Sequence, residues 1–129
     1  MPLSVRGIIV THAQLAGAFI AAIEQIAGPQ EGLSAFSNTG LSNEQLSEKL
    51  RGLLQDGSPT VIFTDFLGGS AYVVARQLID ACKTHETTHC AAVTGVNLPM
   101  LLSFITKRNK LPFIELVETL RNDGHRGIQ

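Results

Sequence analysis

Two side chains with useful chemistry stand at the ends of apolar runs. His12 follows Val5-Arg6-Gly7-Ile8-Ile9-Val10-Thr11, and Asp65 follows Thr60-Val61-Ile62-Phe63-Thr64. If these runs form neighbouring strands, the carboxylate meets the imidazole. A carboxylate accepting from one ring N–H fixes the tautomer and leaves the other nitrogen's lone pair free as a nucleophile. Asp65 opens the loop Asp65-Phe66-Leu67-Gly68-Gly69-Ser70, which leads into a helical pattern with Ser70 suited to the N-cap. The amides and dipole of a helix start favour an anion, and glycine lets the backbone approach it closely. Together these features describe a histidine that takes up a phosphoryl group beside a cradle for its oxygens. The same residues also fit a plain capped turn, with His12 capping a helix and Asp65 binding backbone amides. A lone histidine and a Gly-Gly loop are each weak signals.

The elements that must hold these residues alternate along the chain. The Val5–Thr11 run reads as a buried strand, and Leu15, Phe19, Ile23 and Ile26 recur at helical spacing until Gly28-Pro29. Leu33–Ser37 is a short strand followed by the turn Asn38-Thr39-Gly40. Ser42 and Gln45 form a capping box before Leu46, Leu50, Leu53 and Leu54. Thr60–Thr64 is apolar enough to be buried on both faces. Val74, Leu78 and Cys82 mark a third helix, Cys90–Thr94 a fourth strand, and Asn97-Leu98-Pro99 a helix start with proline where its missing N–H does no harm. Phe113, Leu116, Val117 and Leu120 give a last amphipathic helix. The order β-α-β-α-β-α-β-α-α predicts an α/β fold. Its sheet is doubly wound, mainly parallel and four-stranded, in the order 2-1-3-4, with helices on both faces. Ligands of such sheets sit outside the strand C-termini at the switch between strands 1 and 3, where the loops of His12 and Asp65 lie.

Composition narrows the partners. A chain of 129 residues, 44% apolar and 16% charged, suits one domain over residues 1–129 with a core of its own. Ten basic and eleven acidic side chains leave no basic stripe for nucleic acid. With no Trp and a single Tyr, Tyr72, base-stacking platforms lack material. The longest apolar run, Leu15–Ile23, is too short for a membrane helix. Met1–Gly7 lacks signal-peptide order, and two cysteines fit a cytoplasmic location.

Three motifs carry a resemblance. They are Gly7-Ile8-Ile9-Val10-Thr11-His12, then Thr64-Asp65-Phe66-Leu67-Gly68-Gly69-Ser70, then Val93-Thr94-Gly95-Val96-Asn97-Leu98-Pro99-Met100. In order and spacing, from Val5 to about Val117, the chain resembles the enzyme IIA domain of the mannose family of the bacterial phosphoenolpyruvate-dependent sugar phosphotransferase system. The third motif is the most specific. The phosphotransfer subunit of dihydroxyacetone kinase shares the histidine loop but typically lacks it. The resemblance implies a phosphotransferase in which His12 carries the phosphoryl group and Asp65 hydrogen-bonds it. Gly68, Gly69 and Ser70 surround the phosphate, and Thr11 and Asn97 lie at the site edge. It implies HPr as donor, a IIB component as acceptor, contact with the membrane only through the permease complex, and no metal or organic cofactor. It also implies a homodimer in which a C-terminal strand adds antiparallel to the partner's sheet. Here the candidate is the tail Gly124–Gln129, with Gly124 suited to the helix stop. Its short reach makes the dimer lean on packed helices and apolar residues near the sheet edge more than on strand exchange. Ala13, Ala71 and Val73 depart from the family's usual Gly, Pro and Asn. A regulatory phosphate-sensing module of the same fold is the alternative. A hydrolase using Ser70 is disfavoured by the lack of a G-x-S-x-G elbow.

Other features have bland readings. Cys82, His85, His89 and Cys90 could bind zinc, but both cysteines fit apolar packing positions, so no metal site is expected. Lys107-Arg108-Asn109-Lys110 and His125 are expected in solvent, the former complementing a helix dipole. Phe66 and Leu67 suit either a docking rim or packing under the loop.

Overall fold

The computed structural model describes residues 4–82 and 89–129. Four strands, β1 (Arg6–Thr11), β2 (Leu33–Ser37), β3 (Thr60–Thr64) and β4 (Cys90–Val93), form a sheet in the order β2-β1-β3-β4. Every pairing is parallel. Five helices connect and follow them: α1 (Leu15–Ala27), α2 (Asn43–Leu53), α3 (Ser70–Cys82), α4 (Leu98–Lys107) and α5 (Phe113–Arg126). Strand alternation divides the core in two. Ile9, Val61, Phe63 and Val93 point to one face, under α1, α4 and α5, where Phe63 meets Phe104 edge-on at 5.3 Å. Ile8, Val10, Ile62 and Ala92 point to the other, under Leu46 and Leu50 of α2 and Val74, Ala75 and Leu78 of α3. All five residues of β3 are buried, as a strand covered on both faces requires. The capping box of Ser42 and Gln45 is present at α2.

Three local expectations give way to longer-range contacts. Leu15 and Ile26 fit the helical spacing of α1 but are exposed, and Ala16 and Ile23 form its buried stripe. Arg108 is buried, not solvated. Its Nη2 donates to the Glu31 carbonyl at 2.7 Å, and its guanidinium lies over the Phe104 ring. Burial lowers its pKa, partly offset by Glu31, and a guanidinium stays charged regardless.

Gly124 does not stop the last helix, which runs on to Arg126. A Cβ there would sit 2.9 Å from Met100 Cε and 3.1 Å from Met100 Cβ, so this glycine serves close approach between α5 and α4. Asn97 completes the contact. Its Oδ1 caps α4 by accepting from the Met100 amide, and its Nδ2 donates to the Gly124 carbonyl, both at 2.9 Å. The tail expected as an antiparallel edge strand therefore starts as helix, and the Ile128 amide turns back to the His125 carbonyl. Replacing Gly124→Val should destabilise the fold by about 1–3 kcal/mol through overpacking. Denaturant melting checks this, and an unchanged midpoint would show that the helices separate freely.

The candidate metal cluster falls partly outside the described residues, which exclude His85 and the Cys82 side chain. Of the rest, Cys90 is half-buried and the exposed His89 ring lies 5.4 Å from that of Phe113. Among the described residues no helix is long and apolar enough to cross a membrane.

Candidate functional site

Strand register places the site. Val10 pairs with Thr64 across β1 and β3, and Thr11 with Ser37 across β1 and β2. Continued by a residue or two, these registers set Asp65 on one side of His12 and Asn38 on the other.

His12 and Asp65 meet as the sequence predicts. One carboxylate oxygen of Asp65, Oδ2, accepts from the His12 backbone amide at 2.9 Å and lies 2.8 Å from ring Nδ1. The other, Oδ1, accepts from the Phe66 amide at 3.1 Å. Burial works to raise the Asp65 pKa, but the bonds from the His12 amide and ring and the attraction of that ring outweigh it and leave the pKa lowered. An ionised carboxylate only accepts, so the contact calls for a proton on Nδ1, and the neutral ring in that tautomer has its lone pair on Nε2. The His12 side chain is 51% exposed and that of Asp65 12%, so about half of the imidazole meets solvent while its carboxylate anchor is largely covered.

The loop around His12 is held tightly. Thr11 is buried, and its Oγ1 accepts from the Ala16 amide at 2.7 Å and donates to the His12 carbonyl at 3.2 Å. Ala13 has φ 50°, a left-handed conformation that costs a residue with a Cβ about 1–2 kcal/mol. That cost explains why glycine suits the position after the histidine. The Ala13 amide donates to Thr39 Oγ1 at 2.9 Å.

At the end of the loop that Asp65 opens, the turn into α3 differs in detail from expectation. The Val73 amide bonds to the Gly69 carbonyl, so Gly69 holds the cap and Ser70 lies one position inside the helix. The Gly69 amide is engaged by the Phe66 carbonyl. Neither Gly68 nor Gly69 has a positive φ. Space is tight only at Gly69, where a Cβ would come within 3.3 Å of the Phe66 ring and carbonyl; one on Gly68 would make ordinary contact with that ring at 3.6 Å. Among the described residues no backbone acceptor takes the amides of Ser70, Ala71 and Tyr72, the unpaired donors of a helix start. Ala71 contributes an amide that proline in its place would lack. The Phe66 ring lies 5.3 Å from the His12 ring. Phe66 is 52% exposed and Leu67 69%, which places both on a rim. Val73 is also exposed.

Two residues read only as a turn belong to this neighbourhood. The Asn38 amide donates to the Thr11 carbonyl at 2.9 Å, and its side-chain Nδ2 to Ser70 Oγ at 3.2 Å. Thr39 holds Ala13, as described. The signal for them was the sheet order, since the loop after β2 must emerge at the same edge as the loop after β1. Asn97 is committed elsewhere, because its hydrogen bonds go to Met100 and Gly124 and none to His12, Asp65 or Ser70.

A parallel sheet with a carboxylate-bound histidine at its switch point, and a helix start with unpaired amides at the end of the loop that Asp65 opens, marks an open α/β domain whose candidate site lies outside the strand C-termini. The family model for the PTS system fructose IIA component, EIIA-man, matches residues 7–121, and the chain belongs to that family. It is thus a component of sugar phosphotransfer. Among solved structures, phosphotransferase system component EIIA from Streptococcus agalactiae is 25% identical, with TM-score 0.88 over 97% of this chain and 95% of that one. The mannose/sorbose-specific IIA subunit from Enterococcus faecalis is 21% identical, with TM-score 0.75 over 98% and 94%. A sigma-54 interaction domain protein from Enterococcus faecalis shares the fold at 12% identity, with TM-score 0.80 over 99% and 96%. No curated protein matches the chain.

Proposed function

We propose that the chain is a phosphoryl carrier that accepts phosphate from HPr on His12 and passes it to a IIB component. The observation that carries this reading is the Asp65–His12 pair, in which Oδ2 lies 2.8 Å from Nδ1 on a half-exposed imidazole; a proton on Nδ1 would leave Nε2 as the nucleophile. In the first step Nε2 attacks the phosphorus of the donor's phosphohistidine. A P–N bond forms as the donor's breaks, and the electron pair stays on the donor ring nitrogen. The His12 ring gains positive charge, which the Asp65 carboxylate faces through Nδ1–H. The amides of Ser70, Ala71 and Tyr72 and the Ser70 hydroxyl stand ready for the phosphoryl oxygens, as does the Gly68 segment beside them. In the second step a nucleophile of the IIB component attacks phosphorus, and the pair of the broken bond returns to Nε2. Positioning and fixed charge do the work. The exposed Phe66 and Leu67 suit the docking of both partners. The carrier works in the cytoplasm and meets the membrane only through its permease complex. Incubation with phosphoenolpyruvate, enzyme I and HPr should add one phosphoryl group to the intact mass, and a mass that stays unchanged refutes the reading.

A regulatory phosphate-sensing module is the second reading, favoured by the likeness to the sigma-54 interaction domain protein. Transfer from phosphorylated chain to a IIB component separates the two, since a regulator would hold its phosphate.

We propose also that two copies pair. The sheet leaves β4 as an open edge, with the highly exposed Ile114 on the neighbouring α5. Light scattering at micromolar concentration should give about twice the 13.8 kDa chain mass, and a monomer mass at that concentration refutes pairing.

A further inference from the structure

The loop after β2 has no role in the transfer step above, yet it touches both halves of the site. We propose that Asn38 is a positioning residue that turns the Ser70 hydroxyl toward the phosphoryl group on His12, with Thr39 bracing the histidine loop beside it. This inference rests on the carrier reading and names a part of the machinery that reading leaves out.

Asn38 is only 6% exposed, and its Oδ1 has no hydrogen-bond partner. A buried amide satisfied on one side only is a poor packing residue, because the unpaired oxygen has lost its water for nothing. What the side chain does make is a single bond from Nδ2 to Ser70 Oγ. A hydroxyl has one proton and two lone pairs. With Asn38 donating to a lone pair, the Ser70 proton is left for another acceptor, here the phosphoryl group. Ser70 is free for this task because Gly69 holds the cap position. Two further bonds fix the loop to the histidine side: Asn38 N–H to the Thr11 carbonyl, and Thr39 Oγ1 to the Ala13 amide. The spacing between Ser70 and His12 is thus set through the β2–α2 loop.

The test is a double-mutant cycle on transfer to His12. Two phosphoryl donors are used, phosphorylated HPr and the small molecule phosphoramidate, which needs no docking surface. Asn38→Ala and Ser70→Ala should each slow the maximal rate by about tenfold, the scale of one hydrogen bond to a charged group, with little change in half-saturation by HPr. The double variant should be no slower than Ser70→Ala alone, because Asn38 acts only through Ser70. Asn38→Asp keeps the shape but accepts the Ser70 proton instead of donating, so it should lose at least as much as Asn38→Ala. Its buried carboxylate also lowers the melting point, so Asn38→Ala, which buries no charge, serves as the fold control. Losses that multiply in the double variant overturn the proposal, as do wild-type rates in Asn38→Ala or Asn38→Asp. A wild type that takes phosphate from neither donor overturns the carrier reading and this inference with it. Labelling of wild type with a multiplicative cycle overturns this inference alone.

Discussion

His12→Ala should abolish phosphorylation by HPr altogether while leaving the fold intact. The side chain is half in solvent and its ring contacts are with Asp65 and the exposed Phe66, so little packing is lost. The backbone amide at position 12 would still donate to Asp65, which keeps the carboxylate from becoming a buried, unpaired charge. The label on wild type should be acid-labile and base-stable, as a phosphorus–nitrogen bond is and a phosphoserine is not. Nearby hydroxyls sharpen the test, because Ser70 bonds Asn38, whose backbone amide bonds the Thr11 carbonyl next to His12. Label that persists in His12→Ala would move the acceptor to another residue.

Asp65→Asn should slow transfer by on the order of 10²-fold or more, the scale for a misoriented catalytic histidine. The geometry shows why an isosteric change costs so much. Asp65 Oδ2 takes two N–H groups, from the His12 backbone and ring, and Oδ1 takes a third from Phe66. An amide has one oxygen. If that oxygen faces His12, the NH2 group meets the Phe66 amide. If it faces Phe66, the NH2 group meets the His12 amide and favours the ring tautomer with Nε2 protonated, which has no lone pair to offer. In either case the positive charge on the phosphorylated ring loses its counter-ion. The expected signature is a fall in maximal rate with half-saturation by HPr nearly unchanged, since docking residues are untouched. Unchanged kinetics would remove Asp65 from the machinery.

Much of this architecture was legible in the chain because it rests on local periodicity. β3 is apolar throughout, the Ser42–Gln45 box announces α2, and alternation of strand and helix implies a parallel sheet. The switch-point rule then selects the loops of His12 and Asp65, which the structure brings to 2.8 Å. What escaped the sequence depends on partners distant in the chain. Gly124 looks like a helix stop until Met100 is seen against it. Arg108 looks solvated because the carbonyls of Val5 and Glu31 that take its N–H groups lie far away in sequence. Ser70 looks like a cap because the bond that gives Gly69 that position depends on where α3 begins. Asn38 and Thr39 have the composition of any turn, and their contacts with Ser70 and Ala13 exist only once β2 is placed beside β1.

The central claim is that His12 carries the phosphoryl group on Nε2, with Nδ1 protonated against Asp65. NMR of the phosphorylated chain with 15N-labelled histidine reads this directly, through coupling between phosphorus and the ring nitrogens. The account predicts one phosphorus-coupled nitrogen, Nε2 of His12, and a proton on Nδ1. Coupling to Nδ1, or phosphorus on any other side chain, would contradict it.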